Sequence, residues 1–358
     1  MYPNEMNPAI KDPKVAIKQA SRRYIMNYAQ INPEGERRGG MALWLSRHYR
    51  LGRHGQVTVR SAVLDEGIKE RKRDTQSAKI LITKFACLET FPINAVHTFC
   101  VEEVLSGKVV SAFALTRPPG HHASANKSEG FCFFNNVALA AKYALKNFGV
   151  KRVMIIDWDI HFGNGTSEIF AKDDSVLYVS LHRFAEGFYP HSLKASHEYV
   201  GEEKGVGYTV NVPWLSEGRN DDDYLLAFSK IIMPIAYEFN PELVLVSCGF
   251  DACQGEDVNL GDCSVTPFGY SRMIHLAGSL ANGRVIAVLE GGYNIDNIRS
   301  CSESVLATMV ANNVVEEEPE VLYRKKSFSE ETLKTIQSVI DVQGAYWKSL
   351  RPFMVLPD

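Results

Sequence analysis

Val153-Met154-Ile155-Ile156-Asp157-Trp158-Asp159-Ile160-His161 is the stretch that decides the fold. Its first four residues form a short continuous apolar run, the pattern of a strand covered on both faces inside a parallel sheet. Val176-Leu177-Tyr178-Val179, Leu243-Val244-Leu245-Val246 and Val285-Ile286-Ala287-Val288 repeat the pattern. Between them, Asn136 to Lys146 is rich in alanine and leucine, and Asp223 to Glu238 carries apolar residues at helical spacing. The alternation predicts an α/β fold: one doubly wound, mostly parallel sheet with helices on both faces.

Ligands of such sheets bind beyond the carboxyl ends of the strands, so polar residues capable of chemistry should follow the apolar runs directly. They do. Asp157, Asp159 and His161 follow the first run, Ser180 and His182 the second, Asp251 the third, and Glu290-Gly291-Gly292-Tyr293 the fourth.

The rest of the chain bounds this reading. A length of 358 residues with 45% hydrophobic content can bury a large core, and one catalytic domain is the default. A net charge of -3 argues against direct nucleic-acid binding or a basic membrane-surface patch. The first residues lack a secretory apolar core, no stretch is apolar enough to span a bilayer, and a nuclear or cytoplasmic location is expected. The seven cysteines (Cys87, Cys100, Cys132, Cys248, Cys253, Cys263 and Cys301) include no CxxC pair and read as reduced thiols, mostly packed inside. Residues 1–94 are polar and irregular, with a charged stretch at Lys69 to Arg73. The sharply patterned core runs over 95–311. The tail, 312–358, holds an acidic run at Glu316 to Glu318, a basic patch at Arg324 to Lys326 and a capping-box spacing from Ser327 to Glu330. Leu333, Ile336 and Ile340 would then form the apolar stripe of a terminal helix. No internal repeat or low-complexity tract is visible.

Asp159 and His161 stand one residue apart where a strand gives way to a loop, and both side chains can enter one cavity. A carboxylate and an imidazole suit zinc, while ferrous iron would tolerate the same geometry; a third ligand from a distant loop leaves a position open for water and substrate. Asp251 is the best candidate for the third. An isolated Asp-x-His is more often a pair of solvated loop polars, and only the other strand ends change that balance. Arg117-Pro118-Pro119-Gly120-His121-His122 places two imidazoles on a stiff turn, able to exchange protons near neutral pH. Gly291-Gly292-Tyr293 offers a phenol to a developing oxyanion, although such a turn also commonly precedes a packed ring. The loops Gly130-Phe131-Cys132-Phe133-Phe134 and Gly187-Phe188-Tyr189 are core-like or tunnel-lining.

In this order, the motifs RPPGHHA (Arg117 to Ala123), GFCFFNNVA (Gly130 to Ala138), DWDIHFGNGT (Asp157 to Thr166), SLHR (Ser180 to Arg183), MPIAYEFNPELVLVSCGFDA (Met233 to Ala252) and LEGGYN (Leu289 to Asn294) resemble the zinc-dependent histone deacetylase family, class II in particular, with its arginase/deacetylase fold. Asn32 to Arg37 looks like a degraded form of the family's opening motif.

The resemblance implies one catalytic zinc held by Asp159, His161 and Asp251. It makes His122 the proton-shuttling base and acid, His121 its electrostatic partner, Asp157 and Asn164 their supports, and Tyr293 the polariser of the acetyl carbonyl. Gly130 would accept from the substrate amide, Phe131 and Tyr189 would wall the tunnel, and Leu260 would stand at its gate. A structural K+ would lie on Asp157, Asp159, His161, Ser180 and Leu181. The implied activity is hydrolysis of N6-acetyl-lysine in histones or other proteins, with chromatin and transcription regulation and a corepressor complex as its setting.

Three departures stand out. Phe162 replaces a second histidine of the family. The acid that clamps the substrate backbone at the tunnel rim has no clear match around Glu89. Glu256-Asp257-Val258-Asn259-Leu260 lies where polyamine deacetylases carry an acidic gate, with Leu260 the closer positional match. The alternatives are therefore a polyamine or small-amine deacetylase, a catalytically weak scaffold that binds acetyl-lysine, and a di-metal arginase-like hydrolase, the last disfavoured because one set of metal ligands is apparent.

Overall fold

The computed structural model describes residues 62–63, 80–86, 95–257, 260–311 and 328–353. Among the described residues, eight strands form one sheet: β1 (Ala62–Val63), β2 (Ile80–Ala86), β3 (Ser111–Arg117), β4 (Val153–Asp157), β5 (Val176–Arg183), β6 (Thr209–Trp214), β7 (Leu243–Cys248) and β8 (Val285–Leu289). Their order across the sheet is β1-β2-β3-β8-β7-β4-β5-β6. Only β1 runs antiparallel to its neighbour; every other pairing is parallel. All four apolar runs are strands, and they lie side by side in the order β8-β7-β4-β5. β2, β3 and β6 extend the sheet beyond those runs, and β2 places residues upstream of 95 within it.

Period-two alternation divides each central strand between two cores. Met154, Ile156, Leu177, Val179, Val244 and Val246 face one side, where they pack with Tyr224, Phe228, Ile231, Tyr270, Val305 and Ile340 from the covering helices. Val153, Ile155, Val176, Tyr178, Leu243 and Leu245 face the other, against Val101, Val104, Val137, Ala141 and Ala144. The first layer contains the helical run from Asp221 to Phe239, Pro267–Gly278, Ile295–Ala311 and Glu330–Gln343; the second contains Ala95–Leu105 and Asn136–Asn147. The helix expected over Asp223 to Glu238 is present but carries a π-helical turn at Phe228–Ile232. Among the described residues, no helix is long and apolar enough to cross a membrane.

Two local expectations are corrected. The terminal helix is capped by Ser329, whose Oγ accepts from Thr332 N at 3.0 Å, so Glu330 is its first residue and the helix does not start from a cap at Ser327. Its buried stripe contains Ile336, Val339 and Ile340, whereas Leu333 is 50% exposed and lies off it. Phe162, in place of the family's histidine, is buried in the second core with its ring 4.9 Å from that of His182. The six described cysteines are buried. Asn32 to Arg37, Lys69 to Arg73, Cys87, Glu89, Glu316 to Glu318 and Arg324 to Lys326 lie outside the described residues.

The terminal helix offers a direct test of this packing. Ile340→Ala should lower unfolding free energy by about 2–4 kcal/mol, and Leu333→Ala should change it by less than about 0.5 kcal/mol, both read from urea melts.

Candidate functional site

The parallel register brings the carboxyl ends of the strands into one rim. Asp157 is opposite Ser180 on β5 and Ser247 on β7, and Cys248 is opposite Leu289 on β8. The loop after β4 then carries Asp159 and His161 beneath the loops after β7 and β8.

His161 Nδ1 lies 3.1 Å from Asp159 Oδ1 and 3.1 Å from Asp251 Oδ2. One donor atom from each of the three residues fits within a sphere of contacts no wider than 4.8 Å. Both aspartates are buried, and backbone amides hold them: Asp159 accepts from His161 N at 2.9 Å and Gly291 N at 2.7 Å, and Asp251 from Ile160 N at 2.9 Å. A Cβ at Gly291 would collide with both carboxylates, and one at Gly249 with Asp159. Burial and the neighbouring Asp159 charge push the Asp251 carboxyl up to about 6. Burial alone would push His161 down, but the two carboxylates raise it to about 9. Two carboxylates forced together out of water are relieved by a cation. One imidazole and two carboxylates fit a catalytic zinc with an open position.

The two adjacent histidines differ in charge. His121 Nδ1 is 3.0 Å from Asp157 Oδ2, and its Nε2 is 3.7 Å from Asp159 Oδ1. Burial opposes its protonation, yet Asp159 and Asp157 raise its pKa well above the usual imidazole value. His122 Nδ1 pairs with Asn164 Oδ1 at 2.7 Å. Burial, with the positive His121 and His161 beside it, holds His122 well below the usual value. Asn164 Nδ2 donates to Glu129 Oε2 at 3.2 Å, which orients the amide so that Oδ1 faces His122. Nδ1 of His122 then carries the proton and Nε2 the lone pair, the tautomer of a base.

Gly130 has φ +53 and Phe131 φ +65. A Cβ at Gly130 would collide with the His122 ring and the Tyr189 hydroxyl, so glycine permits the close approach. Tyr189 meets His122 edge-on with centroids 4.9 Å apart, Phe131 meets Tyr293 at 6.2 Å, and Phe188 stacks on His161 at 5.3 Å. Tyr293 is 38% exposed. Leu260 is half-buried on the loop beyond Asp251, its amide donating to Asp257 O. Asp157, Asp159, Ser180 and Leu181 are fully buried, and Ser180 Oγ pairs with His182 Nδ1 at 2.8 Å.

Several contributors carry little signal of their own in the sequence. Glu290 accepts from the Gly120 and His121 amides at 2.6 and 3.2 Å and from Ser247 Oγ at 3.2 Å, holding the histidine turn. Burial raises its carboxyl to about 7 despite the opposing effect of His121. Tyr178 donates to Asp157 Oδ2 at 3.0 Å, and Glu129 acts through Asn164. Phe188 stands in the aromatic loop Gly187-Phe188-Tyr189, which the sequence marks as core-like or tunnel-lining. The one weak signal available for Glu290 was its place directly after an apolar run.

Residues 59–309 match the family model described as histone deacetylase domain, so the match begins well upstream of residue 95. Histone deacetylase HDA1 of Candida albicans is 48% identical over 253 residues, which cover 69% of this chain and 29% of that protein. Histone deacetylase clr3 of Schizosaccharomyces pombe is 46% identical over 252 residues, covering 70% and 36%. Polyamine deacetylase HDAC10 of Mus musculus is 42% identical over 252 residues, covering 70% and 37%. Each alignment thus spans well under half of the curated relative. Among solved structures, the HD domain of HDA15 superposes with a TM-score of 0.65 at 41% identity, covering 72% of this chain and 68% of that one.

The donor cluster makes a pH-dependent prediction. Purified protein should bind one zinc ion per chain, and Asp159→Ala should lose it. Because the ion must displace the proton that His161 holds up to about 9, affinity should rise with pH between about 6 and about 9. A competition titration with a chromogenic chelator would read both; a flat profile would contradict the assignment of His161.

Proposed function

The chain belongs to the histone deacetylase family, and from that premise we propose that it is a zinc-dependent amide hydrolase converting N6-acetyl-lysine in proteins to lysine and acetate. The observation that carries this reading is the Asp159, His161 and Asp251 cluster with the His122 ring 5.8 Å from that of His161, and with Tyr293 on the turn whose Gly291 amide donates to Asp159.

Zinc held by Asp159, His161 and Asp251 would supply Lewis acidity at the acyl oxygen and acidify a water. His122 Nε2 takes the proton of the attacking water and returns it to the departing lysine amine, because Asn164 fixes Nδ1 as the donor. His121, charged between Asp157 and Asp159, keeps His122 neutral and ready to accept. Tyr293 donates to the oxygen on which negative charge develops, and the peptide oxygen of Gly130 accepts from the substrate amide. Phe131 and Tyr189 enclose the apolar stem of the lysine, with Phe188 stacked on His161 behind them. A structural K+ is assigned to Asp157, Asp159, His161, Ser180 and Leu181, chiefly through oxygen atoms.

Protein lysine is favoured over a polyamine because the Glu256 carboxylate accepts from Tyr293 N, Asn294 N and Asn297 Nδ2. It is thereby engaged with backbone and amide donors, while Leu260 is left as the gate residue. The proposed setting is the nucleus or cytoplasm, on acetylated protein substrates, with corepressor partners and no direct nucleic-acid or membrane binding.

Acetate release from an acetyl-lysine peptide tests the assignment. Tyr293→Phe should retain zinc and lose about 10²–10³-fold in kcat, and His122→Ala about 10²–10⁴-fold. Asp159→Ala should lose both zinc and turnover. Acetylspermidine should turn over more slowly than the peptide. Absence of turnover at full zinc occupancy would instead favour a binding scaffold.

A further inference from the structure

The turn bearing Tyr293 runs from the end of β8 directly into the helix Ile295–Ala311. Two consecutive glycines give it wide conformational freedom, and Gly292 uses that freedom with φ +100. Its backbone is nevertheless gripped by two charged side chains from distant parts of the chain.

Arg117, at the end of β3, donates through Nη1 to Glu290 O and through Nη2 to Gly292 O at 2.5 Å. Its Cζ stands 5.3 Å from the centroid of the Tyr293 ring. Glu256, on the loop beyond Asp251, accepts from Tyr293 N at 3.2 Å, Asn294 N at 3.1 Å and Asn297 Nδ2 at 3.2 Å. Asn294 Nδ2 also donates to Gly255 O at 3.1 Å, tying the same two loops together. The carboxylate lies at the N-terminal end of a 17-residue helix, where negative charge is favoured.

Gly292 O and Tyr293 N belong to one peptide unit. Oxygen and hydrogen of a trans peptide point in opposite directions from a rigid plane. A cation on the oxygen and an anion on the N–H therefore oppose rotation of that plane, and the rotation would swing the bond from Cα to Cβ of Tyr293. Donors to a developing oxyanion contribute most when they are placed before the reaction begins.

We propose that Arg117 and Glu256 are positioning residues that clamp the Gly292–Tyr293 peptide unit and thereby present the Tyr293 phenol to the acyl oxygen. This rests on the reading of Tyr293 given above.

The test is a set of double-mutant cycles on the zinc-loaded full chain. Glu256→Ala, Glu256→Gln and Arg117→Lys are each made alone and with Tyr293→Phe, and kcat, KM and zinc content are measured. A trifluoroacetyl-lysine peptide, whose carbonyl is more electrophilic, keeps turnover measurable in the Tyr293→Phe background. Loss of the clamp should lower kcat about tenfold or more for Glu256→Ala and Arg117→Lys, leaving KM within about twofold and zinc at one per chain. Glu256→Gln, which keeps one acceptor oxygen, should fall between wild type and Glu256→Ala. In the Tyr293→Phe background these changes should cost less than about twofold, since the group they position is gone. Equal losses in both backgrounds would make the role merely structural and overturn the proposal. Wild-type kcat in the Glu256 and Arg117 variants beside an impaired Tyr293→Phe would sink the clamp alone. Wild-type kcat in Tyr293→Phe would sink the reading of Tyr293 and the clamp together. Should Glu256→Ala fail to fold, Glu256→Gln and Arg117→Lys carry the same comparison.

Discussion

Buried negative charge at the rim of the sheet is the constraint on which the rest of the site depends. Asp157, Asp159 and Asp251 are all essentially inaccessible to solvent, and a carboxylate out of water must be matched by donors or by cations. The loops supply the donors: the amides of Asp159, Ile160, His161 and Gly291 all point at these oxygens. The path of each loop is therefore set by the carboxylate it solvates. Glycine occurs at 163, 249 and 291 because any Cβ there would collide with Asp157, Asp159 or Asp251.

The same charge separates the two adjacent histidines into different chemical species. His121 sits between two aspartates and is held in its charged form. His122 sits within 4.0 Å of that charged ring and faces a neutral amide, so burial and repulsion keep it neutral. One residue along the chain changes the neighbouring charge and hence the role. The asymmetry also depends on Glu129, which is 35 residues from Asn164 yet orients its amide.

How much of this was legible depends on the physical origin of each feature. β4, β5, β7 and β8 were visible because burial on both faces requires continuous apolar runs. β3 and β6 were not, since Ser111-Ala112-Phe113-Ala114-Leu115-Thr116-Arg117 and Thr209-Val210-Asn211-Val212-Pro213-Trp214 mix polar residues into the run. Asn211, for example, is buried because its side-chain amide donates to Lys194 O and Ser196 O across a neighbouring loop. Ser329 rather than Ser327 caps the terminal helix, and Leu333 faces solvent. A two-residue displacement of the cap leaves the local composition unchanged, so composition could not choose between the two.

The sequence by itself determined the four central strands of the sheet, the rim from which chemistry would come, and the candidate ligands and bases. Covered strands demand apolar runs, and parallel strands deliver whatever follows them to one edge. Only the tertiary structure decided which carboxylates act as supports, Glu290 and Glu256 for backbone amides and Glu129 for the side-chain amide of Asn164. Glu290, Glu129 and Glu256 take their meaning from amides brought close by folding, in the case of Glu290 from a turn 170 residues away. A backbone amide carries no residue-specific mark, so no pattern in the chain could have paired it with its acceptor.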